Sequence, residues 1–413
     1  MSNITIIDSP MGSGKTTWAI NNLLNKYPMN NFVYITPFLS EVDRIKRATS
    51  GVKRFISPEN RGEGKLASIN NLFSNEDDIA TTHELFKHLN SESRKYIQQS
   101  HYTLILDEVL DVITPYNIKA GDLKLLFDTQ LIHIDNEGFV VWNNETTGWD
   151  SAYEEIKILA ENRSLVCINN CILLWRYPPE IFNMFDEIYI LTYLFEASIL
   201  CAYFKYNDID YQKKSIKRIE VDNYTTKYKL VDFETFNASM FAPLINIYDG
   251  SLNKNIKQKP TCMSKQWFSN KENNKTIKQL RNNIYNYLHN VLDNAKTDTI
   301  MWTCFKDDYN KLKGKGYSNS HVPCNCRSTN DYGERSNLVY AINRYLNPGI
   351  IAYFADKNIT INKDLYALSE MLQWIWRSRI RNGESINIYI PSYRMRVLLR
   401  KWLQGDILED SIE

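Results

Sequence analysis

No stretch of the 413-residue sequence holds about 18 apolar residues in a row, the length an α-helix needs to cross a bilayer, so no membrane-spanning helix is expected. The opening, Met1-Ser-Asn-Ile-Thr-Ile-Ile7, lacks the basic start and small-residue cleavage site of a secretory leader. A cytoplasmic protein with no membrane partner is the expectation. Cysteine is sparse, at seven residues. Cys167 and Cys171 sit in an apolar stretch, and Cys324 and Cys326 flank one Asn. No second pair lies near either one to complete a zinc knuckle, so buried free thiols are expected. No segment repeats at a fixed period and there is no low-complexity tail, so a repeat architecture is not expected.

What is present is the balance of a globular chain, 43% hydrophobic and 23% charged, and long enough for two or three domains. The net charge of +1 hides an asymmetry: residues 1–200 carry a net −9 and residues 201–413 a net +10. A basic half beside an acidic one suits contact with phosphate, or simply a lysine-rich solvated surface.

Short apolar strands alternate with helices. Ile4–Ile7, Phe32–Thr36, Ile79–Thr82, Tyr102–Leu106, Ser164–Leu174 and Glu187–Thr192 read as buried strands. Helices are expected at Lys15–Lys26, Ser40–Ala48 and His83–Leu89, and after residue 192 as far as Tyr206. This order predicts an α/β fold with a largely parallel sheet covered on both faces. A hairpin insertion is expected at about 129–145. The polar stretch Asn207–Lys214 is the expected boundary, dividing the chain into 1–206 and a basic 207–413. In the second half, Ser215–Val221, Thr299–Phe305, His321–Cys326, Ile350–Phe354 and Ser385–Ile390 read as strands, and Leu365–Arg381 as one long helix.

The most specific signal is Ser9-Pro-Met11-Gly12-Ser13-Gly14-Lys15-Thr16-Thr17, between a strand and a helix. Gly12 and Gly14 let the backbone curl so that its amides cradle a phosphate. Lys15 reaches the β/γ-phosphates and Thr16 offers a hydroxyl to Mg²⁺. Leu104-Ile-Leu106 then ends in Asp107 and Glu108. An acid at the C-terminal end of such a strand can hold Mg²⁺, and the next can polarise a water for attack on a γ-phosphate. The cofactors implied are ATP and Mg²⁺. Gln373, Arg377 and Arg381 recur every four residues, which predicts one helix face carrying guanidinium groups toward phosphate.

These motifs resemble those of superfamily 2 helicases, in particular small phage-type DEAD/DEAH-like proteins, and the resemblance covers nearly the whole chain. Ser9–Thr16 is similar to motif I and Asp107-Glu108-Val109-Leu110 to the DExx box. Tyr34-Ile-Thr36-Pro37 and Ala80-Thr81-Thr82-His83 are similar to motifs that bind the nucleic-acid backbone. Leu191-Thr192-Tyr193 stands where motif III does, without its Ser-Ala-Thr. Met301-Trp302-Thr303 resembles motif IV and Asn325-Cys-Arg-Ser328-Thr329-Asn330 motif V. Gln373-Trp-Ile-Trp-Arg377-Ser-Arg379-Ile-Arg381 resembles motif VI, with Trp376 in place of Gly and the second arginine at 379 or 381. The resemblance implies two RecA-like domains with the nucleotide site between them. Glu108, Gln373, Arg377, Arg379 and Arg381 would be catalytic. Thr36, Pro37, Thr81, Thr82, His83, Thr303, Ser328, Thr329 and Asn330 would meet nucleic acid. It implies an ATP-dependent helicase or translocase in phage or mobile-element DNA replication or recombination, acting in the host cytoplasm on single-stranded or forked DNA in preference to RNA. The adenine-reading glutamine motif of DEAD-box proteins is not seen before the loop. A nucleotide-switched DNA loader, a DNA-packaging motor and a P-loop nucleoside kinase are the alternatives. Trp302 is either a core residue or a base-stacking one.

Overall fold

A strand that is apolar on both faces needs helices over each, and that requirement groups the short runs of the first half into one sheet. The computed structural model describes residues 3–406 apart from 26, 28, 61, 63, 144–151, 221–225, 255–258 and 326–330. Five strands lie parallel in the order Asn3–Asp8, Glu187–Thr192, Tyr102–Asp107, Asn31–Thr36 and Ile79–Thr82. Ile6, Ile35, Leu106 and Ile190 are fully buried in it. The register sets Asp8 beside Thr192 and Leu191 beside Asp107, so the ends that carry polar residues line up along one edge.

The sheet runs past the expected boundary at residue 207. Gln212–Glu220 pairs parallel with Asn3–Asp8, and Thr226–Asp232 folds back antiparallel on it, giving seven strands in all. The sequence Gln212-Lys-Lys-Ser-Ile-Lys-Arg-Ile-Glu220, next to the edge strand Thr226–Asp232, is charged and mostly exposed. That polarity hid its membership of the first sheet.

Between Asp107 and Glu187 the chain builds a separate antiparallel unit. Ile113–Pro115, Ile172–Arg176 and Leu165–Ile168 form a three-stranded sheet, and Ile132–Ile134 pairs with Val140–Trp142 as a hairpin. Leu123, Leu126, Trp142, Leu165 and Leu173 give this unit its own core. The single strand expected at Ser164–Leu174 is therefore two. Three residues separate the two strands, and Asn169 and Asn170 both take positive φ, 50° and 54°, as the central residues of a turn closed by the Cys171 amide on the Ile168 carbonyl at 3.1 Å.

The second sheet has four strands, all parallel, in the order Ile245–Ile247, Ile386–Tyr389, Asn337–Tyr340 and Ile300–Thr303. Asn337–Tyr340 was not expected. His321 makes only an isolated bridge to Trp302 in place of the strand expected at His321–Cys326, and Cys326 lies outside the described residues. Ile350–Phe354 is helical, within Pro348–Ala355. Asn347 caps that helix by accepting from the Gly349 amide at 2.8 Å, and Pro348 occupies its first position. A short apolar run does not reveal its own period, and here the capping residues decide. Ile350, Tyr353 and Phe354 pack into the core of the first sheet, while Tyr193 and Leu194, from the first sheet's edge, pack into the core of the second. Trp302 is fully buried and donates to the Tyr317 carbonyl at 2.7 Å, so it is a core residue. The fold is α/β, with two parallel-dominated sheets joined by exchanged apolar contacts. Among the described residues no helix is long and apolar enough to cross a membrane.

Candidate functional site

The loop Ser9–Gly14 leaves the strand Asn3–Asp8 and enters the helix at Lys15–Trp18, which continues as a wider π-helical stretch over Ala19–Leu24. Gly12 and Gly14 have φ of 81° and 91°, the left-handed region where a side chain costs energy. The loop is held from outside. Ser9 Oγ accepts from the Ile216 amide at 2.8 Å, and Ser215 Oγ donates to the Asp8 carbonyl at 3.2 Å. Buried Asp8 accepts from the amides of Leu194 and Phe195, both at 2.8 Å. Lys15 Nζ donates to the carbonyls of Ser9 and, at 3.0 Å, Pro10. Burial holds the Lys15 ammonium below its ordinary pKa, an effect opposed by Glu108, Asp8 and Asp107.

The carboxylates stand two strands away. Asp107 Oδ2 accepts from Thr16 Oγ1 and from the Tyr34 hydroxyl, each at 3.3 Å, with Arg44 at 4.0 Å. Burial, and then the charge of Glu108, raise the Asp107 carboxyl to about 6, against the pull of Arg44 and Lys15. Glu108 takes φ of 72° and donates its amide to the Leu191 carbonyl at 3.0 Å. In an extended strand successive side chains point to opposite faces. The left-handed turn at Glu108 lets both acids line the same cavity.

That cavity, of about 280 Å³, is closed from the second sheet by Trp376, Arg377 and Arg381. The helix expected at Leu365–Arg381 ends at Ile375, and Arg379–Asn382 is a separate 3-10 turn. Gln373, Arg377 and Arg381 therefore do not share one helix face. Arg377 and Arg381 line the cavity, with the Arg381 carbonyl 3.8 Å from where a Cβ on Gly12 would stand. Arg379 instead donates through Nε to the Ser385 carbonyl at 2.5 Å and is absent from the lining. Gln373 lines a second cavity of about 470 Å³ between the sheets, with Pro37, His83, Asn325 and Arg344. Burial, and then Arg377 and Arg44, lower the pKa of Arg381. Crowded cations of this kind suit a polyanion.

The other expected residues are dispersed. Thr36 and Thr81 are buried, and Thr36 Oγ1 donates to the Phe38 carbonyl at 3.1 Å. Thr82 caps the helix His83–Lys87, accepting from the Leu85 amide at 3.4 Å. His83 Nε2 lies 3.1 Å from the Asp107 carbonyl. Thr303 is fully buried in the second sheet. Ser328, Thr329 and Asn330 lie outside the described residues. Tyr34, Glu41, Arg44 and Tyr228 belong to the site but were not read as such. Glu41 and Arg44, joined at 2.6 Å, are three residues apart on the helix Leu39–Thr49, a spacing that could have drawn notice. Nothing in the local sequence marks Tyr228.

The donor set fits a magnesium nucleotide. Among the described residues no group of three or more His, Cys, Asp or Glu could hold a metal alone. A magnesium ion at Thr16 and Asp107 would take its remaining ligands from phosphate and water. The buried Ser13 Oγ has no hydrogen-bond partner among the described residues, and a phosphate oxygen in the loop would supply one.

Across 98% of its length this chain is 40% identical to the SPbeta prophage-derived uncharacterized protein YonV of Bacillus subtilis (strain 168), and it covers 100% of that protein. The chain belongs to the YonV family. Residues 113–175 match the model of the YonV middle domain, and these are the antiparallel unit between Asp107 and Glu187. Residues 239–403 match the YonV C-terminal Rossmann-like domain, which contains the second sheet with Arg377 and Arg381. Among solved structures, the DUF1998 helicase MrfA bound to DNA and AMPPNP is 10% identical with a TM-score of 0.35, over 98% of this chain and 48% of that one. MrfA bound to DNA gives 11% and 0.34, over 98% and 46%. This chain spans about half the length of those structures.

Proposed function

We propose that this chain binds ATP with Mg²⁺, hydrolyses it, and couples hydrolysis to movement on, or unwinding of, nucleic acid. The observation that carries the reading is the single cavity in which the loop residues Met11, Gly12 and Gly14–Thr17, the acids Asp107 and Glu108, and Arg377 and Arg381 from the other sheet meet.

Each residue has a role suited to its place. The loop amides and Ser13 hold the phosphate chain, and Lys15 turns from the loop carbonyls to the β/γ-phosphates. Thr16 and Asp107 would hold Mg²⁺, which neutralises charge on the β- and γ-oxygens. Glu108, turned into the cavity, orients a water and accepts its proton. Arg377 and Arg381 stabilise the charge that develops as the γ-phosphate leaves. A water-activating acid and arginines delivered from a second domain favour hydrolysis over transfer to a nucleoside. Because the two halves of the site sit on different sheets, hydrolysis can drive their relative motion, which is how a two-domain helicase or translocase of the superfamily 2 type would work. The prophage origin of the YonV relative suits a role in phage or mobile-element DNA replication or recombination.

The test is ATP turnover by the purified chain with and without single-stranded DNA, single-stranded RNA and forked DNA. Hydrolysis stimulated by single-stranded or forked DNA is expected. Hydrolysis indifferent to all three would favour a nucleotide-switched loader, and none under any condition would defeat the proposal.

A further inference from the structure

We propose that Tyr228 is the residue on which the nucleotide's base stacks, an assignment that rests on the ATP-binding reading above. Strand order orients the nucleotide. The phosphate loop leaves the strand Asn3–Asp8, which is flanked on one side by Glu187–Thr192 and then by Tyr102–Asp107. The γ-phosphate end therefore points to that side, where Asp107 and Glu108 stand with Arg44. On the other side lies the antiparallel edge hairpin of Gln212–Glu220 and Thr226–Asp232, with Tyr228 on its outer strand. A nucleotide whose phosphates follow the loop has its base end on the hairpin side.

Tyr228 is placed to meet it. Its ring lies against Gly14 so closely that a Cβ there would fall within 2.6 Å of Cζ. The residue is half-buried and lines the cavity. The hairpin beneath it is fixed to the phosphate loop by the Ile216 amide on Ser9 Oγ. It is fixed to the following helix by Asn22 Nδ2, which donates to the Tyr228 carbonyl at 3.4 Å and to the Trp18 carbonyl at 3.1 Å. A rigidly held, half-exposed aromatic face at the base end of a triphosphate site is a stacking platform. Every base has a π-face, so such a platform gives affinity with little selectivity among bases.

The experiment measures equilibrium binding of Mg·ATP and of magnesium tripolyphosphate, which has the phosphates and no base, to the full chain and to Tyr228→Ala, Tyr228→Leu and Tyr228→Phe. Thermal unfolding confirms that each variant is folded, and the leucine keeps an apolar cover over Gly14. Loss of the stacking face should weaken ATP binding by about 5- to 100-fold in the alanine and leucine variants, with tripolyphosphate binding unchanged and Tyr228→Phe restoring ATP binding. Equal weakening of both ligands would make Tyr228 a support of the loop and overturn the proposal, as would no weakening of either. A wild-type chain that binds neither ligand would overturn the nucleotide site itself. One that binds ATP as well as Tyr228→Ala does would leave the nucleotide site standing and defeat only the stacking assignment.

Discussion

Thr16 Oγ1 donates to Asp107 Oδ2 at 3.3 Å across 91 residues of chain. That contact joins the start of the phosphate-loop helix to the end of a strand two places away in the sheet, and it marks where a magnesium ion would sit. Desolvation, and then the neighbouring charge of Glu108, raise the pKa of the same half-buried carboxylate to about 6. Magnesium needs it ionised.

Binding of Mg·ATP should therefore weaken as pH falls through about 6, and titration calorimetry between pH 5 and 8 checks this. The effect on stability has the opposite sense. A carboxyl with a raised folded pKa binds its proton more tightly than the unfolded chain does, so its contribution to stability of the nucleotide-free protein falls as pH rises between about 4 and 6. Asp107→Asn should stabilise the free protein at pH 7 by about 1–2 kcal/mol in denaturant unfolding while abolishing magnesium-dependent turnover. A destabilised Asp107→Asn would mean that the charge is structural.

Lys15→Ala should bring ATP turnover to background and weaken ATP binding by about 10- to 100-fold, since a charge-assisted contact to the phosphates is lost. Turnover at the wild-type rate would place the active site elsewhere.

Glu108→Gln keeps the size of the side chain and removes the base. ATP affinity should stay close to that of the wild type while turnover falls about 10²- to 10⁴-fold in a steady-state assay. An equal fall in both would assign Glu108 a structural role.

The loop Ser9–Thr17 and the two acids stand out in the sequence as one candidate site because their signal is local: glycines, a lysine and a strand that ends in acids. What escaped the sequence depends on distant partners. The strand read at Ser215–Val221 looks like part of the second half until Asn3–Asp8 is seen beside Gln212–Glu220. The helix Pro348–Ala355 reads as a strand because its apolar face is wide, packing partly on the core of the other sheet. Tyr228 lies 214 positions from Gly14, and only the hairpin brings the two together. Arg379 and Arg381 could not be told apart by spacing, because the helix ends at Ile375 and the arginine spacing continues into a tighter turn.

The net charge of +10 beyond residue 200 should show as salt-sensitive binding of single-stranded DNA. Log affinity should fall linearly with log salt, by about 0.7 for each phosphate neutralised. Fluorescence anisotropy from low to physiological salt reads the slope, and a flat line would remove electrostatics from the account.

The arginines test whether the two sheets act as one enzyme. Arg377 and Arg381 reach the cavity, whereas Arg379 is turned to the Ser385 carbonyl. A group that acts on charge developing in the transition state lowers turnover when removed and leaves ground-state affinity nearly unchanged. Arg381→Ala, at a half-buried position, should lower turnover about 10³-fold or more with ATP affinity within a few-fold. Arg377 is buried, so Arg377→Lys, which keeps the charge and loses the fork of donors, is the better probe there and should also lower turnover. Arg379→Ala should change turnover little. Single-stranded DNA should stimulate the wild type by favouring closure of the sheets over ATP, and should fail to stimulate Arg381→Ala. If Arg379→Ala were the variant that lost turnover while Arg381→Ala kept it, Arg379 would be the arginine that meets the γ-phosphate and the sheets would have to close differently from the arrangement seen.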